Sequence, residues 1–216
     1  MSKSKLITAS LHNSIKWAKT CPVNWKDRAY EDLTNTLARK FPEPIGPAKR
    51  GIDFEKAIYT ILESKQILEE VKSSKMFKSF LKYLEGGEFQ RKEKVFITID
   101  KVQYCLYAKL DVWFPDRIVD LKTKAKWDDF SKQNLMDSFQ HKLYCYVTKI
   151  NYFEYFIAVF DGKEGSDIQE MHILPYTVND FIVLEEEVII EVKKMIAFLK
   201  KDKELNKLYN EKFCLY

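Results

Sequence analysis

The run Lys109-Leu110-Asp111-Val112-Trp113-Phe114-Pro115-Asp116-Arg117-Ile118-Val119-Asp120-Leu121-Lys122-Thr123 alternates in polarity on either side of Pro115-Asp116. A period of two flanking a pair of turn residues is the pattern of an antiparallel hairpin. With the turn centred on Pro115-Asp116, Phe114 faces Arg117, Val112 faces Val119, and Asp111 faces Asp120. Any even-length loop with this centre keeps that register. Pro115 suits an ordinary turn better than the primed turns of two-residue hairpins, which points to a longer loop. Lys122 lies on the same face as Asp120.

Two carboxylates facing each other across a sheet destabilise it by roughly 0.2–1 kcal/mol when solvated, and by more when buried. Lys122 or Lys109 offsets part of that repulsion. A divalent cation offsets more, because Mg²⁺ takes oxygen ligands from one or two carboxylates and leaves its other positions to water and phosphate. Such an ion polarises a phosphodiester and acidifies water. A nearby ammonium orients or deprotonates that water, or stabilises the charge of the transition state. The other reading of the same residues is a solvated cross-strand ion-pair cluster. The triplet acid-x-Lys also occurs at Glu63, Glu70, Asp161 and Glu191, but only the Asp120 copy sits on a predicted strand in register with a second acid.

Upstream of the hairpin, Val95, Ile97 and Ile99, then Tyr104, Leu106, Ala108, Leu110 and Val112, alternate with polar or outward residues, so three strands form an antiparallel meander. Before them, Ser10 to about Lys40 shows helical spacing broken at Cys21-Pro22, and Pro42, Pro44 and Pro47 make a loop of Phe41–Ala48. A helix is predicted from about Lys49 into the Glu63–Val71 region, and another over about Ser74–Leu84, ended by Gly86-Gly87. Downstream, about Asp128 to Ile150 reads as helical, Tyr152–Phe160 and Ile168–Leu174 as strands, and about Asn179 to Leu208 as a long charged amphipathic helix. The order of helices, three strands, helix, two strands, helix is α+β or α/β/α.

The 216 residues suit one domain, spanning 1–216, with an N-terminal helical region (1–48), a core (49–176) and a C-terminal helix (177–216). With 46% hydrophobic and 31% charged residues the composition is that of an ordinary soluble protein. A net charge of +4 is too small to identify a nucleic-acid partner, so charge for DNA must be concentrated locally. Cys21, Cys105, Cys145 and Cys214 show no C-x-x-C spacing and read as reduced thiols of an intracellular protein. Met1 to Ser10 lacks the apolar core of a signal peptide, and Tyr152–Phe160 is too short to span a bilayer, so a cytoplasmic chain with no membrane partner is expected. His12-Asn13 has no second His to make an HNH site, and no Gly-rich phosphate loop is present. His141 and His172 read as structural or exposed residues.

The motifs taken in order resemble the PD-(D/E)XK nuclease superfamily, in particular its RecB-like and phage-exonuclease-like branches. The matching residues are Asp111, then Asp120-Leu121-Lys122 followed by Thr123; upstream Arg50-Gly51-Ile52-Asp53-Phe54-Glu55; downstream Gln140-His141-Lys142-Leu143-Tyr144; and Cys21-Pro22 followed by Trp25. They span about residues 10 to 146, and Leu110 stands where the family often has Pro. The resemblance implies a restriction-endonuclease-like core, a central mixed sheet of about five strands flanked by helices, with added N-terminal helices. It implies a Mg²⁺ or Mn²⁺ ion on Asp111, Asp120 and the backbone carbonyl of Leu121, with Glu55 a further ligand, direct or through water. Lys122 would handle the attacking water, and Gln140 and Tyr144, one turn apart on one helix face, would support the site or touch substrate. Tyr144 and Glu55 taken alone read as a core-edge aromatic and a solvent-facing carboxylate.

No iron–sulfur cluster is expected, because Cys145 and Cys214 are isolated. The partner implied is DNA, in recombination, repair or phage DNA metabolism within a bacterial or phage-infected cell. Arg50, Lys124, Lys126, Trp127 and Lys142, with Lys49, lie near the motifs in sequence. They form either a phosphate-binding surface with an aromatic for an unpaired base or an ordinary lysine-rich surface. No base-reading motif is present. An exonuclease is the first expectation, with a homo-oligomer compatible with enclosure of a DNA end. A structure-selective endonuclease and a non-catalytic nucleic-acid-binding module are the alternatives.

Overall fold

The structure, a computed structural model, describes residues 4–64, 75–162 and 167–215. In chain order the elements are β1 (Ser4–Ile7), α1 (Ala9–Thr20), α2 (Lys26–Ala38), α3 (Gly46–Glu63), α4 (Lys75–Leu84), β2 (Glu88–Ile99), β3 (Val102–Trp113), β4 (Ile118–Lys124), α5 (Asp129–Met136), α6 (Phe139–Thr148), β5 (Tyr152–Phe160), β6 (Ile168–Thr177), α7 (Phe181–Lys200), α8 (Lys203–Lys212) and β7 (Cys214–Leu215). Local chemistry sets most boundaries. Thr8 caps α1 by accepting the Leu11 N–H, and Pro47 occupies the first turn of α3, where its missing N–H costs nothing.

Two expected helices are each a pair. The stretch from Asp128 to Ile150 breaks at Asp137-Ser138, where Ser138 accepts the Gln140 N–H and starts α6. The C-terminal stretch breaks at Lys201-Asp202, where Asp202 accepts the N–H groups of Glu204 and Leu205 to start α8. Apolar periodicity runs on through both breaks; the capping side chains interrupt the backbone. Residues 65–71 and Ser74, to which two helices were expected to extend, lie outside the described residues.

The sheet is mixed, with helices on both faces, as the sequence implies, but it has seven strands among the described residues, against the five expected. The two extra are β1, of four residues, and β7, of two, both too short to show a period. The order is β6-β5-β4-β3-β1-β7, with β2 also paired to β3. β2 runs antiparallel along all of β3, so β4 and β1 must share the other edge of β3, at its two ends. β4 pairs there antiparallel through Val112↔Val119 and Trp113↔Ile118, and β1 pairs parallel through Tyr104 to Leu106. Between these contacts, from Tyr107 to Asp111, this edge of β3 has no strand against it. β4 continues as a parallel partner of β5 along its whole length.

The larger core packs α1, α2, α6, α7 and α8 on one face of the sheet, and the smaller packs α3 and α4, through Phe54, Ile58, Phe80, Leu81 and Leu84, on the other. Four free, buried cysteines lie within this framework. No helix among the described residues is long and apolar enough to cross a membrane.

Candidate active site

The hairpin connection is the four residues from Phe114 to Arg117, longer than a two-residue turn, as Pro115 suggests. The Phe114 N–H donates to the Arg117 carbonyl at 2.9 Å across its base. The register is the one read from the sequence as far as Val112↔Val119, one step short of Asp111 and Asp120. There the ladder stops. β3 and β4 diverge, and Asp111 Oδ2 instead accepts the Leu121 N–H at 2.9 Å, doing with a side chain what the strand backbone no longer does.

Asp120 is 1% exposed. Gln140 Nε2 donates to its Oδ1, and Oδ2 forms an ion pair with Lys122 Nζ that lacks hydrogen-bond alignment. Asp111 is half-buried. Burial first, then the neighbouring charges of Asp120 and Glu55, hold its carboxyl well above the usual carboxylate range, against the pull of Lys122 and the Leu121 N–H. Burial works against the charge of Lys122 too, but Asp120 and Asp111 outweigh it and raise the ammonium above the ordinary lysine value.

Glu55 arrives from α3. Gly51, one turn before it, is where α3 lies against β4: a Cβ there would meet Thr123 Oγ1 at 3.3 Å. That approach turns Glu55 towards Lys122, Asp120 and Lys109, whose charges act on it; burial, the largest influence, raises its carboxyl. The Arg-Gly-x-x-x-Glu and Asp-x-Lys-Thr motifs thus meet through Gly51 and Thr123.

From the other face, α6 supplies Gln140 and, one turn on, Tyr144, whose hydroxyl donates to the Lys109 carbonyl at 2.9 Å. This bond falls on the segment of β3 between its β1 and β4 contacts. Tyr144 is buried as well as bonded, so it supports the strand beside the acids. A cavity of about 520 Å³ opens alongside, with Thr8, Ser10, Arg39, Tyr107, Lys109 and Tyr144 in its wall.

The structure therefore brings Glu55, Asp111, Asp120, Lys122 and Gln140 together, with Leu121 between the acids and Tyr144 behind them. Four of the five residues expected to contact DNA have intramolecular partners. Lys124 follows Asp120 and Lys122 on the same strand face, where burial and the charge of Lys122 lower its pKa. Arg50 turns to the Gly162 carbonyl and the Phe160 ring. Lys126 pairs with Asp128. Trp127 is stacked on His172 through one face of its ring, with ring centroids 5.4 Å apart. Lys142 faces α7 and pairs with Glu187 at 2.9 Å.

Two residues near the acids were missed. Tyr59, one turn after Glu55 on α3, carries a hydroxyl influenced by the charges of Asp111, Glu55 and Asp120. Gln90 on β2 donates to that hydroxyl at 2.6 Å. The spacing of Glu55 and Tyr59 was a visible signal; the reach of Gln90 across the sheet was not.

No family model matches the chain, and no curated protein matches it. Among solved structures, the chain is similar to a phage-related exonuclease from Haemophilus somnus 129PT over 97% of this chain and 95% of that one, with 11% identity and a TM-score of 0.48. It is similar to the alkaline exonuclease LHK-Exo from Laribacter hongkongensis over 94% of each chain, with 12% identity and a TM-score of 0.42. Similarity to the structure called SSO0001 covers 94% of this chain and 80% of that one, with 8% identity and a TM-score of 0.45.

Proposed function

We propose that this chain is a divalent-metal-dependent deoxyribonuclease that hydrolyses DNA from an end. The observation that carries the reading is the buried Asp120, gripped by Gln140 and Lys122 and set against Asp111 where two strands part. An arrangement kept only for stability would not hold two acids together with one of them forced above its ordinary pKa.

The donors fit a hard cation. They are all oxygen, and a buried carboxylate oxygen of Asp120 lacks an aligned hydrogen-bond donor. Asp111, Asp120 and the Leu121 carbonyl would hold Mg²⁺ or Mn²⁺. Among the described residues no three His, Cys, Asp or Glu side chains form a ready-made cage, so Glu55 would join through water. When bound, the ion supplies Lewis-acid polarisation of a phosphate oxygen and acidifies water.

The chain's own residues do the rest. Gln140 fixes the rotation of the Asp120 carboxylate, leaving its other oxygen beside Lys122. Lys122, a charged donor in this environment, orients the attacking water and meets charge developing on the phosphate; its raised pKa supports these roles over proton abstraction. Lys124, next along the face, would contact the adjoining phosphate.

Action from an end is the reading that the resemblance of the Arg50–Glu55 motif to the phage-exonuclease branch supports. Incubation of equal amounts of closed circular and linearised plasmid with Mg²⁺ tests the reading. Loss of the linear form with circles left intact is expected; comparable loss of both would replace the exonuclease by an endonuclease at the same residues.

A further inference from the structure

Opposite Asp111, on the β2 side of β3, the sheet is irregular. The β2–β3 ladder is continuous from Glu88↔Trp113 to Ile99↔Val102 except for the one step at which Gln90 would pair with Asp111. Gln90 has a φ of +54°, a left-handed conformation that a non-glycine residue adopts at a cost of about 1–3 kcal/mol. Leu110 belongs to the larger core and Val112 to the smaller, although residues two apart on a regular strand share a face. The alternation of β3 breaks at Asp111.

The left-handed turn of Gln90 goes with a specific contact. Its Nε2 donates to the Tyr59 hydroxyl at 2.6 Å, and the ring of Tyr59 lies against Phe89, with centroids 5.1 Å apart. Because the hydroxyl oxygen accepts from Gln90, its own proton is available to an acceptor on the cleft side. Burial, and then Asp111, Glu55 and Asp120, raise the pKa of Tyr59, which keeps that proton in place. Gln90 thus ties β2 to α3 at the level of the acids, in a conformation that the surrounding packing must sustain.

We propose that Tyr59, held by Gln90, is a positioning residue that fixes Glu55 on α3 relative to Asp111 on β3, and so sets both metal affinity and turnover. This rests on the nuclease reading above. Tyr59 is not itself a ligand in this account; it acts through the carboxylates.

Tyr59→Phe keeps the ring and removes the hydroxyl. Mn²⁺ binding, followed by the electron paramagnetic resonance of the free ion, is expected to weaken about tenfold or more, with a similar fall in kcat on linear DNA, the range typical of residues that orient metal ligands. KM for DNA and the apo melting temperature should stay near wild type. Gln90→Gly relieves the backbone strain, so its stability should hold or rise, yet its Mn²⁺ affinity and kcat should fall as in Tyr59→Phe. The double variant should be no worse than the poorer single one, within about twofold, because the pair acts as a unit. If wild type binds Mn²⁺ and cleaves DNA while either single variant matches it within about twofold, the positioning role is overturned and the nuclease reading stands. If wild type does neither, the nuclease reading fails and takes this inference with it.

Discussion

Gln140 on α6 donates its side-chain N–H to Oδ1 of Asp120 on β4, fixing the carboxylate from a helix that begins only one residue before it. Ser138 caps that helix, so the position of Gln140 depends on where α6 starts. Gln140→Ala should leave the fold intact, because Gln140 lies at the edge of the core, but free the Asp120 carboxylate to rotate. Cleavage of linear DNA should fall about 10–100-fold with the melting temperature little changed. An unaltered rate would remove Gln140 from the site.

Asp111→Asn should stabilise the metal-free protein. The amide oxygen still accepts from the Leu121 N–H, while the repulsion with Asp120 is gone. Since the folded state raises the pKa of Asp111, this group imposes no penalty below its unfolded pKa and a growing one as the pH rises towards its folded value. The melting temperature of Asp111→Asn should therefore exceed that of wild type by more at pH 8 than at pH 4, by about 2 °C or more at this chain length. Millimolar Mn²⁺ should raise the wild-type melting temperature but not that of the variant.

Gly51→Ala tests the contact between the two motifs. The added methyl meets Thr123 Oγ1 at 3.3 Å, so either the Thr123 side chain or α3 must give by a few tenths of an ångström, and a shift of α3 carries Glu55 with it. A loss of activity of roughly tenfold is expected, because small misplacements at a reacting centre are costly. Adding Thr123→Ala should restore most of it; a double variant as poor as Gly51→Ala would contradict the contact.

His141 should make the protein sensitive to acid. It is fully buried, its Nδ1 is 3.0 Å from the Tyr155 hydroxyl, and burial lowers its pKa to about 4. Above the ordinary histidine value of 6.5 it is neutral folded or unfolded; as the pH falls towards 4 only the unfolded chain takes up the proton, and stability is lost. Melting temperatures between pH 7 and 4 should fall more steeply for wild type than for His141→Gln.

Much of the fold was legible because long strands and amphipathic helices advertise their period. The hairpin register followed from the turn centre alone: Val112 pairs with Val119 as expected, while Asp111 bonds to the Leu121 N–H and forms no ladder pair with Asp120. What stayed hidden depended on single backbone bonds or on strands too short to have a period. Ser138 and Asp202 split apparently continuous helices, and β1 and β7 joined the sheet with four and two residues. At the site, residues on the motif-bearing elements were visible, whereas the directions of Arg50, Trp127 and Lys142 were set by partners distant in sequence: Gly162, His172 and Glu187. Gln90 was invisible for a related reason, since nothing in a strand sequence announces a left-handed glutamine.

The central claim is that the Asp120–Lys122 pair performs metal-dependent hydrolysis of DNA. End-labelled linear DNA should be incubated with wild type, Asp120→Asn and Lys122→Ala in Mg²⁺, Mn²⁺, Ca²⁺ or EDTA, after confirming that each variant unfolds cooperatively. The account predicts degradation by wild type with Mg²⁺ or Mn²⁺, none in EDTA, and a loss of several orders of magnitude in both variants. Cleavage by both variants within about threefold of wild type, or wild-type cleavage undiminished by EDTA, would contradict it.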